Sequence, residues 1–243
     1  MANTTTIYCC YHTPKQKLQY RNNDLVWVYG PNDYLNKFFS EFSMFKWIYE
    51  NDKYSQYIGC CHYKRQFKLH DIDYNYLDDE HCIVLNRRII PGMNIDRYGS
   101  IRKWSRPDWQ DCEFIYFDFI DYIRTKEEYI KYYHADEFCA ENSLFYSRSS
   151  FIMNRHHFFE LWEYIGGFFE YLDNKYQLNH DYNTYNKFMQ YYASNYGKET
   201  TQGWFNSYTT HRLFAYLGEL LVSNYITANF GLSNVKYLND NVL

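Results

Sequence analysis

Tyr57-Ile58-Gly59-Cys60-Cys61-His62-Tyr63-Lys64-Arg65-Gln66-Phe67 opens as an apolar run and breaks at once into polar and basic residues, His62 to Arg65. A short apolar run of this kind predicts a strand buried on both faces. The basic turn then falls where the strand leaves its sheet. Open α/β sheets bind ligands in the crevice outside the carboxyl ends of their strands, so cations at that point predict an anion site. The same residues would also suit an ordinary turn with two solvated cations.

Working outward, Ile7 to Tyr11 is a short β-type run that ends at His12-Thr13-Pro14, and Pro14 cannot continue a central strand. The reading is a first strand and its exit loop. Asp24 to Tyr29 is a second candidate strand, closed by Gly30, Pro31, Asn32 and Asp33. Leu35, Phe38, Phe42, Phe45 and Ile48 then recur at helical spacing, returning the chain to Tyr57. This order predicts an α/β fold with His12 and the His62 cluster at strand ends on one edge.

Downstream, Cys82 to Leu85 predicts a further strand ending in Asn86-Arg87-Arg88, and Pro91 to Pro107 reads as a long basic loop. Glu113 to Phe119 suits strand or helix, and Thr125 to Tyr133 suits a helix. Ser143 to Met153 predicts one or two strands before Asn154, the N-cap of a helix whose stripe of Phe158, Trp162, Ile165, Phe169 and Leu172 is read as core. A weaker helix covers Tyr182 to Tyr196, followed by a polar loop over Lys198 to Tyr208. The last helix starts near Thr210 and runs toward Asn229, and Val235 to Leu238 suits an edge strand.

A chain of 243 residues with no low-complexity linker or repeat predicts one compact domain over residues 1–243. Aromatics form 23% of it, with Tyr 30 and Phe 19, so rings must supply much of the burial. That surplus also suits sugar binding, although an AT-rich genome would produce it without any functional reason. The net charge of -4 argues against wrapping of nucleic acid. Seven cysteines without CxxC spacing read as buried free thiols in a reducing compartment. Neither a signal peptide nor a membrane span is legible, which predicts a cytoplasmic protein, or one of the host cytoplasm if the chain is viral.

No Walker loop, GxGxxG, nucleophile elbow or HExxH occurs. Asp71-Ile72-Asp73 has the DxD form that can hold Mn or Mg against a diphosphate, two carboxylates being hard oxygen ligands. It follows no apolar strand directly. His156-His157 reads as a surface pair at a helix start. His134 with Asp136 and Glu137 could supply an acid or base, and an exposed polar loop explains them equally well.

Taken together, Trp47-Ile48-Tyr49-Glu50-Asn51 and Tyr57 to Phe67 resemble the "YWxWKN...DYIGLCHYRRYF" signature of a bacterial capsular and exopolysaccharide glycosyltransferase-like family. Ser150 to Met153 with Phe158, Phe159 and Trp162 is similar to that family's "NMFIMxxxxFxxYxxWLF", and His211 to Leu221 to its "RVFGFLSERLL". The matches are strongest over residues 7–67 and 150–230. Lys64 replaces an Arg of the pattern, Ser149 and Ser150 stand where it has Asn and its neighbours, and Gly218 stands where it has Ser.

The resemblance implies a single GT-A-like nucleotide-binding domain, a central mostly parallel sheet flanked by helices with the donor at the strand ends. It implies a glycosyltransferase moving a sugar from a nucleotide-diphosphate donor to a glycan acceptor. In related transferases the DxD follows the strand that corresponds to Tyr57 to Cys61; here His62-Tyr63-Lys64-Arg65 stands there, so these cations would neutralise the leaving diphosphate and no cofactor would be required. The competing assignment keeps Mn or Mg on Asp71 and Asp73, or uses His62 as a ligand. His12 and Thr13 are placed near the nucleotide. Arg212 is placed at the donor with Glu219 on the same helical face, or with it as a structural anchor. For an inverting reaction the acceptor base is one of Asp118, Asp121, Asp136 and Glu137. Two other classes remain open. One is a non-catalytic carbohydrate-binding module. The other is a nucleic-acid binder using Lys64, Arg65, Arg87 and Arg88, which the acidic balance disfavours.

Overall fold

The computed structural model describes residues 4–20, 22–29, 41–85, 87–89, 101, 113–142, 144–146, 149–181, 183–188 and 213–238. Its centre is a six-stranded sheet of β1 (Thr5–Tyr11), β2 (Val26–Tyr29), β3 (Tyr57–His62), β4 (Cys82–Leu85), β7 (Phe151–Asn154) and β8 (Val235–Leu238), in the order β2-β1-β3-β7-β4-β8. β1 runs parallel to β2 and β3, β4 parallel to β8, and β7 alone is antiparallel to its neighbours. A two-stranded ladder, β5 (Arg87–Ile89) with β6 (Leu144–Tyr146), stands beside it.

The strand alternation sorts side chains onto two buried faces. Tyr8, Cys10, Ile58, Cys60, Cys82, Val84, Phe151 and Met153 face a helical layer. That layer is α2 (Phe42–Asn51), α3 (Glu113–Ile123), α4 (Ile130–Asn142), α5 (Arg155–Lys175) and α6 (Leu213–Phe230). Ile7, Cys9, Tyr57, Cys61, Ile83, Leu85 and Ile152 face the other way and are covered by Phe67, Ile72 and Leu77 from the β3–β4 connection. Both faces are therefore dry, which is why these strands read as continuous apolar runs rather than alternating ones.

Several local expectations change. Pro14 does not begin a loop: it opens a short helix, α1 (Pro14–Gln19), capped by Thr13. The undecided Glu113 segment is helical, and its apolar residues surround the axis, which is what hid the period. The helix expected over Thr125 to Tyr133 is a 3-10 turn, Glu127–Tyr129, followed by α4. Asn154 caps α5, accepting from the His156 amide at 3.1 Å. His157 is not a surface residue: it bonds the Tyr225 hydroxyl and the Asp79 carbonyl, and burial lowers its pKa. The long basic loop, apart from Ile101, and the polar loop after residue 197 lie outside the described residues.

Gly218 shows how tightly the helical layer closes on the sheet. A Cβ there would fall inside the van der Waals envelope of the fully buried Phe42 ring, so the Ser of the family pattern has no room. Gly218→Ala should therefore lower unfolding stability by about 1–3 kcal/mol, even though alanine gains roughly 1 kcal/mol of helix propensity over glycine. Urea denaturation checks this; an unchanged or raised midpoint would contradict the packing.

Candidate active site

The parallel strands bring their carboxyl ends to one edge. Cys10 lies opposite Val28 on one side and His62 on the other, so Tyr29, His12 and His62 emerge together. β4 and β8 end there at Leu85 and Leu238, and antiparallel β7 begins there after Ser149 and Ser150.

The His62–Arg65 segment is a closed turn in which the Arg65 amide donates to the His62 carbonyl at 2.8 Å. The Lys64 amide donates to His62 Nδ1 at 3.2 Å. That bond makes Nδ1 an acceptor and leaves the ring proton on Nε2. The Tyr63 ring lies 4.2 Å from the His62 ring and 5.3 Å from Tyr20. Lys64 is exposed; His12, His62, Tyr63 and Arg65 are half-buried.

Two glutamines, Gln66 and Gln16, hold this edge together. Gln66 is buried, and its amide nitrogen donates to the Tyr20 carbonyl at 2.8 Å and the Tyr63 carbonyl at 3.0 Å, tying the turn to the end of α1. Gln16 Oε1 accepts from the amides of His12 and Thr13, at 2.8 and 3.1 Å. Thr13 Oγ1 accepts in return from the Gln16 amide. The Thr13 hydroxyl is thus engaged as a helix cap.

Ser149, marked in the sequence only as a departure from the family pattern, stands at the same edge before β7. It takes a left-handed backbone, φ 53, is buried, and its hydroxyl has no partner among the described residues. Strain of this type costs roughly 1–3 kcal/mol and concentrates at functional sites.

The other candidates are spread elsewhere. Asp118 is buried on α3 and accepts from Lys175 Nζ and the Tyr176 hydroxyl; its hydrogen bond raises the Lys175 pKa. Asp121 pairs with Lys175 at 3.5 Å and Arg124 at 3.8 Å. Buried Asp136 accepts from the Ile101 amide at 2.7 Å and from Asn224 at 3.0 Å. Glu137 accepts from the Tyr133 hydroxyl at 2.8 Å. Arg212 lies outside the described residues.

Asp71 and Asp73 flank buried Ile72 on the β3–β4 connection. Asp73 accepts from Lys236 at 2.8 Å, and that bond holds its carboxyl below the usual range. Lys236 is level with Ile83, Ile152 and Gly59 across the ladder. At about 3.3 Å per residue and about 4.8 Å per strand, its backbone sits roughly 10 Å back from the strand edge and roughly 14 Å across from His62. Among the described residues no group of three or more His, Cys, Asp or Glu could hold a metal ion. Burial pushes the Cys60 thiol well up, and that of Cys139 to about 12, so neither is suited to act as a nucleophile.

The architecture has a solved counterpart. The chain is similar to the apo structure of WbbM, a bifunctional glycosyltransferase, with a TM-score of 0.56 at 15% identity over 98% of this chain. The fold is glycosyltransferase-like. The chain spans 45% of that protein's length. No protein-family model matches the sequence, and none of the curated proteins does. Among the described residues no helix is long and apolar enough to cross a membrane.

Ser149 gives this edge its test. Because φ 53 disfavours a β-branched side chain, Ser149→Val should lower stability by about 1–3 kcal/mol, while Ser149→Gly should be tolerated. Denaturation midpoints that rank the valine variant equal to the glycine variant would contradict the left-handed assignment.

Proposed function

We propose that the protein is a nucleotide-sugar-dependent glycosyltransferase of the capsular and exopolysaccharide type, moving a sugar from a nucleoside-diphosphate donor to a glycan acceptor. One observation carries this reading: in a glycosyltransferase-like fold, parallel β1 and β3 deliver His12 and the His62–Arg65 turn to the same strand-end edge.

The chemistry follows from the leaving group. As the bond to the sugar breaks, about two to three negative charges gather on the diphosphate and need preorganised positive charge. Arg65 serves as a bidentate clamp, Lys64 as a mobile point charge, and His62 offers its Nε2 proton. Tyr63 braces the His62 ring. His12 sits beside the nucleotide, with Thr13 and Gln16 fixing the backbone that carries it.

For an inverting transfer a carboxylate must take the acceptor proton. Asp118 and Asp136 are buried, and Asp121 and Glu137 are the more accessible members of the set. A metal held by Asp71 and Asp73 is the competing arrangement. The ion pair of Asp73 with Lys236 weighs against it, because a cation already occupies that carboxylate.

Titration with uridine and guanosine diphosphates, with and without EDTA, tests the reading. One of them should raise the melting temperature, as any ligand selective for the folded state must, and excess EDTA should leave the effect intact. Arg65→Ala should weaken binding by about 1.5–3 kcal/mol, roughly ten- to hundred-fold, and Asp73→Ala much less. No shift with any nucleoside diphosphate at millimolar concentration removes the proposal. Loss on chelation with recovery on adding manganese returns the site to the DxD arrangement.

A further inference from the structure

A cleft of about 470 Å³ opens on the outer side of the helical layer between α2 and α5, within the size range of small-molecule sites. Its walls include three aromatic rings, Tyr49, Trp162 and Phe169. Among the described residues Lys46, Lys126, Glu163, Glu170 and His180 also line it, the lysines and glutamates giving two charges of each sign. Those four charges balance and favour neither an anion nor a cation. Such a lining suits a neutral ligand with an apolar face and many hydroxyls.

The helix is built around this cleft at some cost. Trp162 belongs to a stripe of α5 whose other members, Phe158, Ile165, Phe169 and Leu172, are buried, yet it is only half-buried itself. Two adjacent glycines follow it, each costing roughly 1 kcal/mol against alanine in a helix interior. Gly167 has a packing reason, since a Cβ there would stand 2.5 Å from the Tyr122 hydroxyl. Gly166 has a different one: its Cβ would stand 3.0 Å from Cε2 and Cζ2 of Trp162. The missing side chain lets the indole lie along the helix as a wall of the cleft. The Tyr49 hydroxyl donates to Glu163 at 3.0 Å, fixing the second ring and one carboxylate together.

We infer that the Tyr49–Trp162–Gly166 cleft binds a neutral saccharide, at a site separate from the strand-end edge. A pyranose stacks its C–H face on the indole, and its hydroxyls meet the flanking carboxylates and ammonium groups. Choosing a saccharide among neutral ligands rests on the glycosyltransferase reading. A glycan held here would raise the effective concentration of its own end at the transferase site.

The test uses the full chain and a panel of neutral tetrasaccharides of glucose, galactose, mannose and N-acetylglucosamine, followed by saturation-transfer NMR and tryptophan fluorescence. At least one should bind in the millimolar range, with transfer to one face of a ring. Trp162→Ala should weaken it roughly ten-fold, the scale of a lost aromatic contact with its buried area. Gly166→Ala, a helix-favouring change, should also weaken it while the protein stays folded, and so decides the matter if Trp162→Ala does not fold. The melting shift with nucleoside diphosphate should be the same in both variants as in the parent, so failure at the strand edge is seen separately. No binding by any member of the panel, or binding unchanged in Gly166→Ala, overturns the inference.

Discussion

The parallel register of β1 against β3 is the constraint on which the rest depends. Cys10 stands opposite His62, and the two strands are buried on both faces. A slip of one residue would turn Tyr8 and Cys10 toward the β3–β4 connection and Ile7 and Cys9 toward the helices, exchanging two sets fitted to different layers. Gly59 tightens the lock, since even a methyl group there would stand 2.9 Å from Ile7 and 3.1 Å from Ile152. His62, the last residue of β3, and His12, directly after β1, are therefore placed by the core. Positions so fixed provide the preorganised donors that an electrostatic site needs.

Antiparallel β7 adds what the parallel strands lack. Running the other way between β3 and β4, it begins at the edge where they end, and so brings Ser149 there in a strained conformation. It also places the start of α5 at the opposite edge, where Arg155 donates to the carbonyls of Lys53 and Asp52. Asp52 in turn accepts from the Tyr8 hydroxyl at 2.7 Å and from the amides of Tyr54 and Ser55. One edge of the sheet is thus tied by a hydrogen-bond network through Arg155 and Asp52, and the other carries the cations.

Much of this was legible in the chain because both sheet faces are dry. Uninterrupted apolar runs marked β1, β3 and β4, and the cationic break after Cys61 marked the edge. Asn154 with its following stripe marked α5. What escaped had weaker or competing signals. Thr13-Pro14-Lys15-Gln16 carries a capping-box pattern, but Pro14 read first as a strand terminator. Trp162 kept the spacing of the core, and only the packing shows that the layer leaves it half exposed beside Gly166. The burial of Asp118 and Asp136 depends on Lys175, Tyr176, Asn224 and Ile101, partners that spacing alone does not reveal.

The strand-end edge of β3 and the DxD on the β3–β4 connection are spatially distinct, so the position of bound phosphate separates them. A crystal structure of the protein soaked with a nucleoside diphosphate and manganese is the most direct measurement. Phosphate oxygens within hydrogen-bond reach of Arg65 and His62 Nε2, with Asp73 still on Lys236, are the expected result. A diphosphate bridged by manganese to Asp71 or Asp73, away from the His62–Arg65 turn, would contradict it.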